Sequence, residues 1–249
     1  MEDIISNRIS TGIVIAAVAV TSFFTFACGS PPEPAKTEKP ANTNSNAKPT
    51  ERETSGVFNV TGAGTNGIDE YKGVLNITNQ GDVYGFRWQT NRGSRVGNGV
   101  QIGDAMAASY AAIAAGKGCG VVLYKIASDG SLDGKVAKWG ETTFGTEKAT
   151  RTEGHGFVGK YSITGQGNDG KDYSGTLSIT KDGAGYDFEW KTDKPLVGFG
   201  IWKGSTAAVS FGGPQCSFAL YDIQSNGNLE GDWGGQKSVT FGKETAKRQ

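Results

Sequence analysis

Histidine is almost missing from this chain: His155 is the only one in 249 residues. It lies in the short stretch TEGHG between the two halves of the chain, where a surface role is expected. With no second histidine, neither half can assemble a Ser-His-Asp or Cys-His catalytic set, and zinc sites of His and Cys have little to draw on. An excess of either charge is also missing. Lys and Arg number 25, Asp and Glu 25. Without a basic field to hold a polyanion, nucleic acid is excluded as an expected partner. Long apolar runs are missing after residue 27, and proline is scarce outside 30–55, which holds five of the seven. Glycine, by contrast, is abundant at 39. That suits tight turns between short strands better than helix interiors.

The one apolar run, residues 11–27 (TGIVIAAVAVTSFFTFA), is short for a bilayer span, which needs about 20 residues. It ends on Ala27-Cys28-Gly29-Ser30 and resembles a bacterial lipobox. Thr25 stands where leucine is usual, and the leading MEDIISNR carries two acids against one arginine. The resemblance implies a signal peptide over 1–27, a lipid on Cys28 and attachment to a membrane. With Gly29 rather than Asp next, it implies the outer membrane. Residues 28–55, rich in Pro, Asn and Lys, have too few apolar side chains to offset chain entropy and read as a disordered tether.

From residue 56 the sequence repeats. GVFNVTGAG (56–64) matches GKYSITGQG (159–167), YGFRWQT (84–90) matches YDFEWKT (186–192), and CGVVLYKIASDGSLDG (119–134) matches CSFALYDIQSNGNLEG (216–231). The expected organisation is one module over 56–149, a linker over 150–157 and a second module over 158–249. Each copy reads as strands. Tyr84, Phe86 and Trp88 alternate with polar or small residues, as do Tyr186, Phe188 and Trp190. A period of two places the aromatics on one face. Asp129-Gly130 and Asn226-Gly227 sit between apolar runs, a hairpin signal. The alanine-rich 104–116 looks helical, but its counterpart STAAVSFGG is β-like and short, so 104–111 reads as a strand. The fold class expected is all-β: two tandem antiparallel meanders of seven or eight strands, each a small barrel or a sandwich.

The pattern Y-x-G-x-L-x-I, Y-x-F-x-W, L-Y-x-I-x-S-(D/N)-G-x-L-(D/E)-G and F-G resembles a group of small secreted bacterial β-proteins sometimes labelled fibronectin-binding. Gly231-Asp232-Trp233 fits that group's G-x-W, while Val136 stands at the same place in the first copy. The resemblance implies a fold unit, and the label implies an adhesin role.

Candidate functional residues are few. Cys119 and Cys216 occupy equivalent places. Two separate buried thiols is the simpler reading; a disulfide would require the copies to meet near a pseudo-twofold axis. The six alternating aromatics could line a ligand cavity or fill the core. The repeated acids Asp133/Glu230 and Glu147/Glu244 point to turn and structural roles, since glycosidase chemistry needs two carboxylates facing across a cleft. No cofactor or metal is implied. The leading expectation is a non-catalytic envelope lipoprotein whose duplicated modules bind protein or glycan or serve a structural role. A lipocalin-like carrier of small ligands is the alternative, and a hydrolase using the repeated acids is third.

Overall fold

The computed structural model describes residues 51–64, 68–113 and 118–249. The signal segment, Cys28 and the tether up to residue 50 lie outside the described residues. All described residues fall in one compact unit. Among them there is no α-helix, and they form sixteen strands. The first copy contributes β1 (Gly56–Ala63), β2 (Glu70–Asn79), β3 (Tyr84–Thr90), β4 (Gly93–Ile102), β5 (Ala105–Ala112), β6 (Gly120–Ile126), β7 (Leu132–Lys138) and β8 (Gly145–His155). The second contributes β9 (Val158–Gln166), β10 (Asp172–Asp182), β11 (Gly185–Lys191), β12 (Leu196–Lys203), β13 (Thr206–Phe211), β14 (Ser217–Ile223), β15 (Leu229–Gly234) and β16 (Gly242–Arg248).

The strands close into two antiparallel barrels of eight, but neither barrel is one copy. Barrel 1 contains β1–β5 and β14–β16; barrel 2 contains β6–β13. The boundaries 56–149 and 158–249 therefore delimit sequence copies and not folded bodies. The last three strands of each copy complete the barrel begun by the other. The exchange keeps every register. β14 lies on β5 with Ser217 opposite Tyr110, and β6 lies on β13 with Gly120 opposite Phe211. Because the copies match, β6 and β14 fit either edge, and exchanging equivalent elements costs little. The expected linker 150–157 is also structured. β8 runs on to His155, which pairs with Val158 across a turn, and the histidine is exposed there.

The seam explains the alanines. On β5, Met106 and Ala108 point into barrel 1, while Ala105 and Ala107 join an apolar layer shared with Val121, Leu123, Ala208, Phe218 and Leu220. A strand buried on both faces loses the period-two signal, and small side chains allow the sheets to approach. At the centre of the seam the equivalent Ser109 and Ser210 hydroxyls hydrogen-bond each other at 2.5 Å. Where the chain crosses between barrels, Cys119 and Cys216 are joined in a disulfide with an S–S distance of 2.02 Å. The reading of two separate thiols is thus corrected: the exchange brings equivalent positions together at the pseudo-twofold axis.

The end of the expected disordered tether is held against the body. Thr54 is 1% exposed and donates to Gln101 Oε1 at 2.8 Å, and Gln101 Nε2 donates back to the Arg52 carbonyl at 2.9 Å. Arg52 pairs with Asp104 of barrel 1, and Glu51 with Lys135 of barrel 2. These partners stop residues 51–55 from behaving as free chain.

Replacing Cys119 and Cys216 by alanine removes a crosslink that spans 97 residues. The expected loss is about 2–5 kcal/mol, read as a lower urea midpoint with an unchanged far-UV spectrum. Nonreducing peptide mapping should recover the 119–216 linkage. Free thiols at both positions would contradict the seam.

Candidate functional site

Each barrel opens at one end into a cavity: about 230 Å³ in barrel 1 and about 300 Å³ in barrel 2. The rest of each interior is filled. Phe58, Leu75, Ile77, Phe86 and Leu229 pack barrel 1; Tyr161, Ile163, Leu177, Ile179 and Phe188 pack barrel 2. The end of barrel 2 away from its mouth is closed by Phe157, which stacks on Trp202 at 5.2 Å and meets Tyr186 edge-on at 5.1 Å.

The floor of each mouth is a buried glutamate held by three neutral donors. In barrel 1, Glu244 on β16 accepts from Tyr71 on β2 (2.7 Å), Tyr221 on β14 (2.6 Å) and the Trp88 indole on β3 (3.1 Å). In barrel 2, Glu147 on β8 accepts from Tyr173 on β10 (2.9 Å), Tyr124 on β6 (2.5 Å) and the Trp190 indole on β11 (3.1 Å). The two sets are equivalent residue for residue. Each mixes the copies: Glu244 and Tyr221 come from the second, Tyr71 and Trp88 from the first. Without the exchange, this pairing of strands would not arise.

Glycines make room for the tyrosines. A Cβ on Gly134 would stand 2.6 Å from the Tyr124 ring, and one on Gly231 2.3 Å from the Tyr221 ring. Gly62 and Gly165 likewise face the hydroxyl ends of Tyr71 and Tyr173. These glycines lie within strands, where the lack of a side chain admits a ring against the backbone.

No cation is hydrogen-bonded or ion-paired to either carboxylate among the described residues. Burial pushes Glu244 above the usual glutamate range, against the opposing pull of Tyr221, Tyr71 and Trp88. Burial does the same to Glu147, opposed by Tyr124, Trp190 and Tyr173. Burial and then the adjacent carboxylate push the hydroxyls of Tyr124 and Tyr221 far up, which keeps them protonated as donors.

Of the six aromatics picked out by alternation, Trp88 and Trp190 reach the mouths. Phe86 and Phe188 are core, while Tyr84 and Tyr186 lie toward the other end. Asp133 and Glu230 are exposed beside turns. Glu147 and Glu244 occupy different barrels, so they do not face one another across one cleft. The tyrosines that hold them were missed in the sequence. Their signal was present: Tyr71/Tyr173 and Tyr124/Tyr221 recur in both copies, each two residues before a glycine or next to a leucine in the same motif. No family model, curated protein or solved structure matches this chain.

Substituting either glutamate by alanine strands three buried donors and is expected to cost at least about 2 kcal/mol, with glutamine costing less. Because both folded pKa values are raised, each group contributes stability that is fully present below its unfolded pKa, about 4.3, and is lost as pH rises through the folded value. Relative to a Glu147→Gln/Glu244→Gln variant, the wild type should gain stability as pH falls from neutral toward about 4.5. Urea midpoints of both proteins across that range measure it, and a flat or opposite difference would contradict the assignment.

Proposed function

We propose that this chain is a non-catalytic binding lipoprotein of the cell envelope that holds small ligands in its two barrel mouths. The observation carrying this reading is that both barrels have the same Glu-Tyr-Trp-Tyr floor beneath an open cavity. Small-molecule sites are concave, largely apolar and furnished with a few fixed polar groups, which describes both mouths. The packed interiors argue against a deep carrier cavity, so a ligand would sit at the mouth and not along the barrel axis.

The anchor belongs to the same proposal. A disulfide between Cys119 and Cys216 suits a compartment outside the cytoplasm. Residues 51–55 lead into β1 at the end of barrel 1 away from its mouth: Gly56 pairs with Ile77, whereas Ala63 pairs with Glu70, next to the floor residue Tyr71. Two sites on one tethered chain also permit avidity toward a ligand displayed in many copies, including a surface glycan.

Two measurements test the reading. Metabolic labelling with a palmitate analogue should mark the wild type and not Cys28→Ala; an unlabelled wild type removes the anchor. Native mass spectrometry of the full chain, titrated with small aromatic compounds, should show up to two occupants per chain. If the protein holds none yet binds intact matrix proteins, the adhesin reading replaces this one.

A further inference from the structure

The two mouths share a floor and differ along one wall. Register fixes the comparison. Trp88 pairs with Arg95, and its equivalent Trp190 pairs with Leu196. Tyr110 pairs with Ser217, and Phe211 with Gly120. Trp233 pairs with Gly242, and Val136 with Gly145. At four equivalent positions barrel 1 therefore carries a hydrogen-bond donor (Arg95, Tyr110, Ser217, Trp233) where barrel 2 carries Leu196, Phe211, Gly120 and Val136. The four donors lie on β4, β5, β14 and β15, which are consecutive strands of the barrel. All four line the cavity of about 230 Å³.

Two of these donors are open to a ligand: Arg95 is exposed at the rim, and the Trp233 N–H is buried. Arg95 makes its hydrogen bond to the neighbouring Ser94 carbonyl at 3.2 Å and forms no ion pair among the described residues. Arg92, beside it at the mouth, is paired with Asp69 at 3.0 Å. The Trp233 indole N–H is buried with no acceptor. Burial and the Glu244 carboxylate push the nearby Tyr71 hydroxyl far up, and the indole opposes that shift without reaching hydrogen-bond geometry. Glu244 is the one acid lining this mouth, and three donors already wrap its oxygens. Aromatic rings form the remaining wall: Tyr71 meets Trp233 edge-on at 6.0 Å, and Tyr110 leans on Trp88 at 5.0 Å.

We infer that the mouth of barrel 1 is a site for a small aromatic carboxylate, with its ring among Tyr71, Trp88, Tyr110 and Trp233 and its anionic group on Arg95. This rests on the mouths being ligand sites. The guanidinium matches a planar carboxylate in geometry and charge, and the unpartnered indole N–H offers a second donor. Ring walls suit edge and face contacts with an aromatic ligand. The volume is sufficient, since a cavity of about 150 Å³ accommodates benzene. Barrel 2 offers hydrocarbon at three of the four places and no side chain at Gly120, and acids and lysines together line its rim. It should not discriminate in favour of an anion.

The test uses the full chain and the probes benzoate, its neutral analogue benzamide, and inorganic phosphate. The indole N–H signals of Trp88 and Trp190 report the two floors separately by NMR. Benzoate should shift Trp88 and Trp233 with one site per chain. Benzamide should bind that site about tenfold or more weakly, the scale of one charge-assisted contact. Arg95→Leu and Trp233→Val, which install the residues that barrel 2 carries in the same registers, should each weaken benzoate and leave Trp190 unmoved. Equal binding of benzoate and benzamide, or benzoate binding that survives Arg95→Leu, overturns the anion site while the mouths remain ligand sites. Phosphate binding as tightly as benzoate overturns the aromatic part. Silence of Trp88 and Trp190 toward every probe removes this inference and the mouth reading together.

Discussion

The reciprocal exchange of three strands between the copies is the constraint on which the rest of this structure depends. It places β14–β16 in barrel 1 and β6–β8 in barrel 2. The chain must therefore cross twice between the barrels, and the crossings are tied by the bond between Cys119 and Cys216. The apolar layer along the seam follows from the same fact, because β5, β6, β13 and β14 are each covered on both faces. A duplicated chain often behaves as two independent beads. Here the last three strands of each half close the other half's barrel, so the two halves fold as one body.

Because of the exchange, each floor draws on both copies. Every buried glutamate is held by one tyrosine of its own copy and by a tyrosine and a tryptophan of the other. Each carboxylate links four strands near the open end of a barrel, where strand ends would otherwise be weakly fixed. Neutral donors hold it without an opposing cation, so burial governs its protonation. The arrangement leaves a polar, preorganised floor under a cavity. Preorganisation of this kind reduces what a ligand must order on binding.

Above the floors the barrels part company. The equivalent positions Arg95/Leu196, Tyr110/Phe211 and Trp233/Val136 carry opposite chemistry in the same registers. Duplication keeps what closes the barrel and frees what surrounds the mouth. Much of this was legible in part. Alternation gave the strands and placed Trp88 and Trp190 with the inward aromatics; repetition flagged Glu147 and Glu244. The partnership between the glutamates and Tyr71, Tyr124, Tyr173 and Tyr221 was not legible, since these residues lie 23 to 173 positions apart along the chain. The role of Gly134 and Gly231 was not legible either, because a glycine that admits a ring looks no different in sequence from one that turns a chain.

By itself the sequence determined the all-β class, two matching sets of seven or eight strands, and the inward face of the aromatic runs, because side-chain alternation is a local property of extended chain. Tertiary structure alone decided which copy closes which barrel. Equivalent strands carry equivalent edges, so a self-closed and an exchanged barrel offer nearly the same hydrogen bonds and the same interior. In the exchanged arrangement the alanines and serines of β5 and β13 pack with the apolar outer faces of β6 and β14, and the two cysteines are bonded beside the crossings.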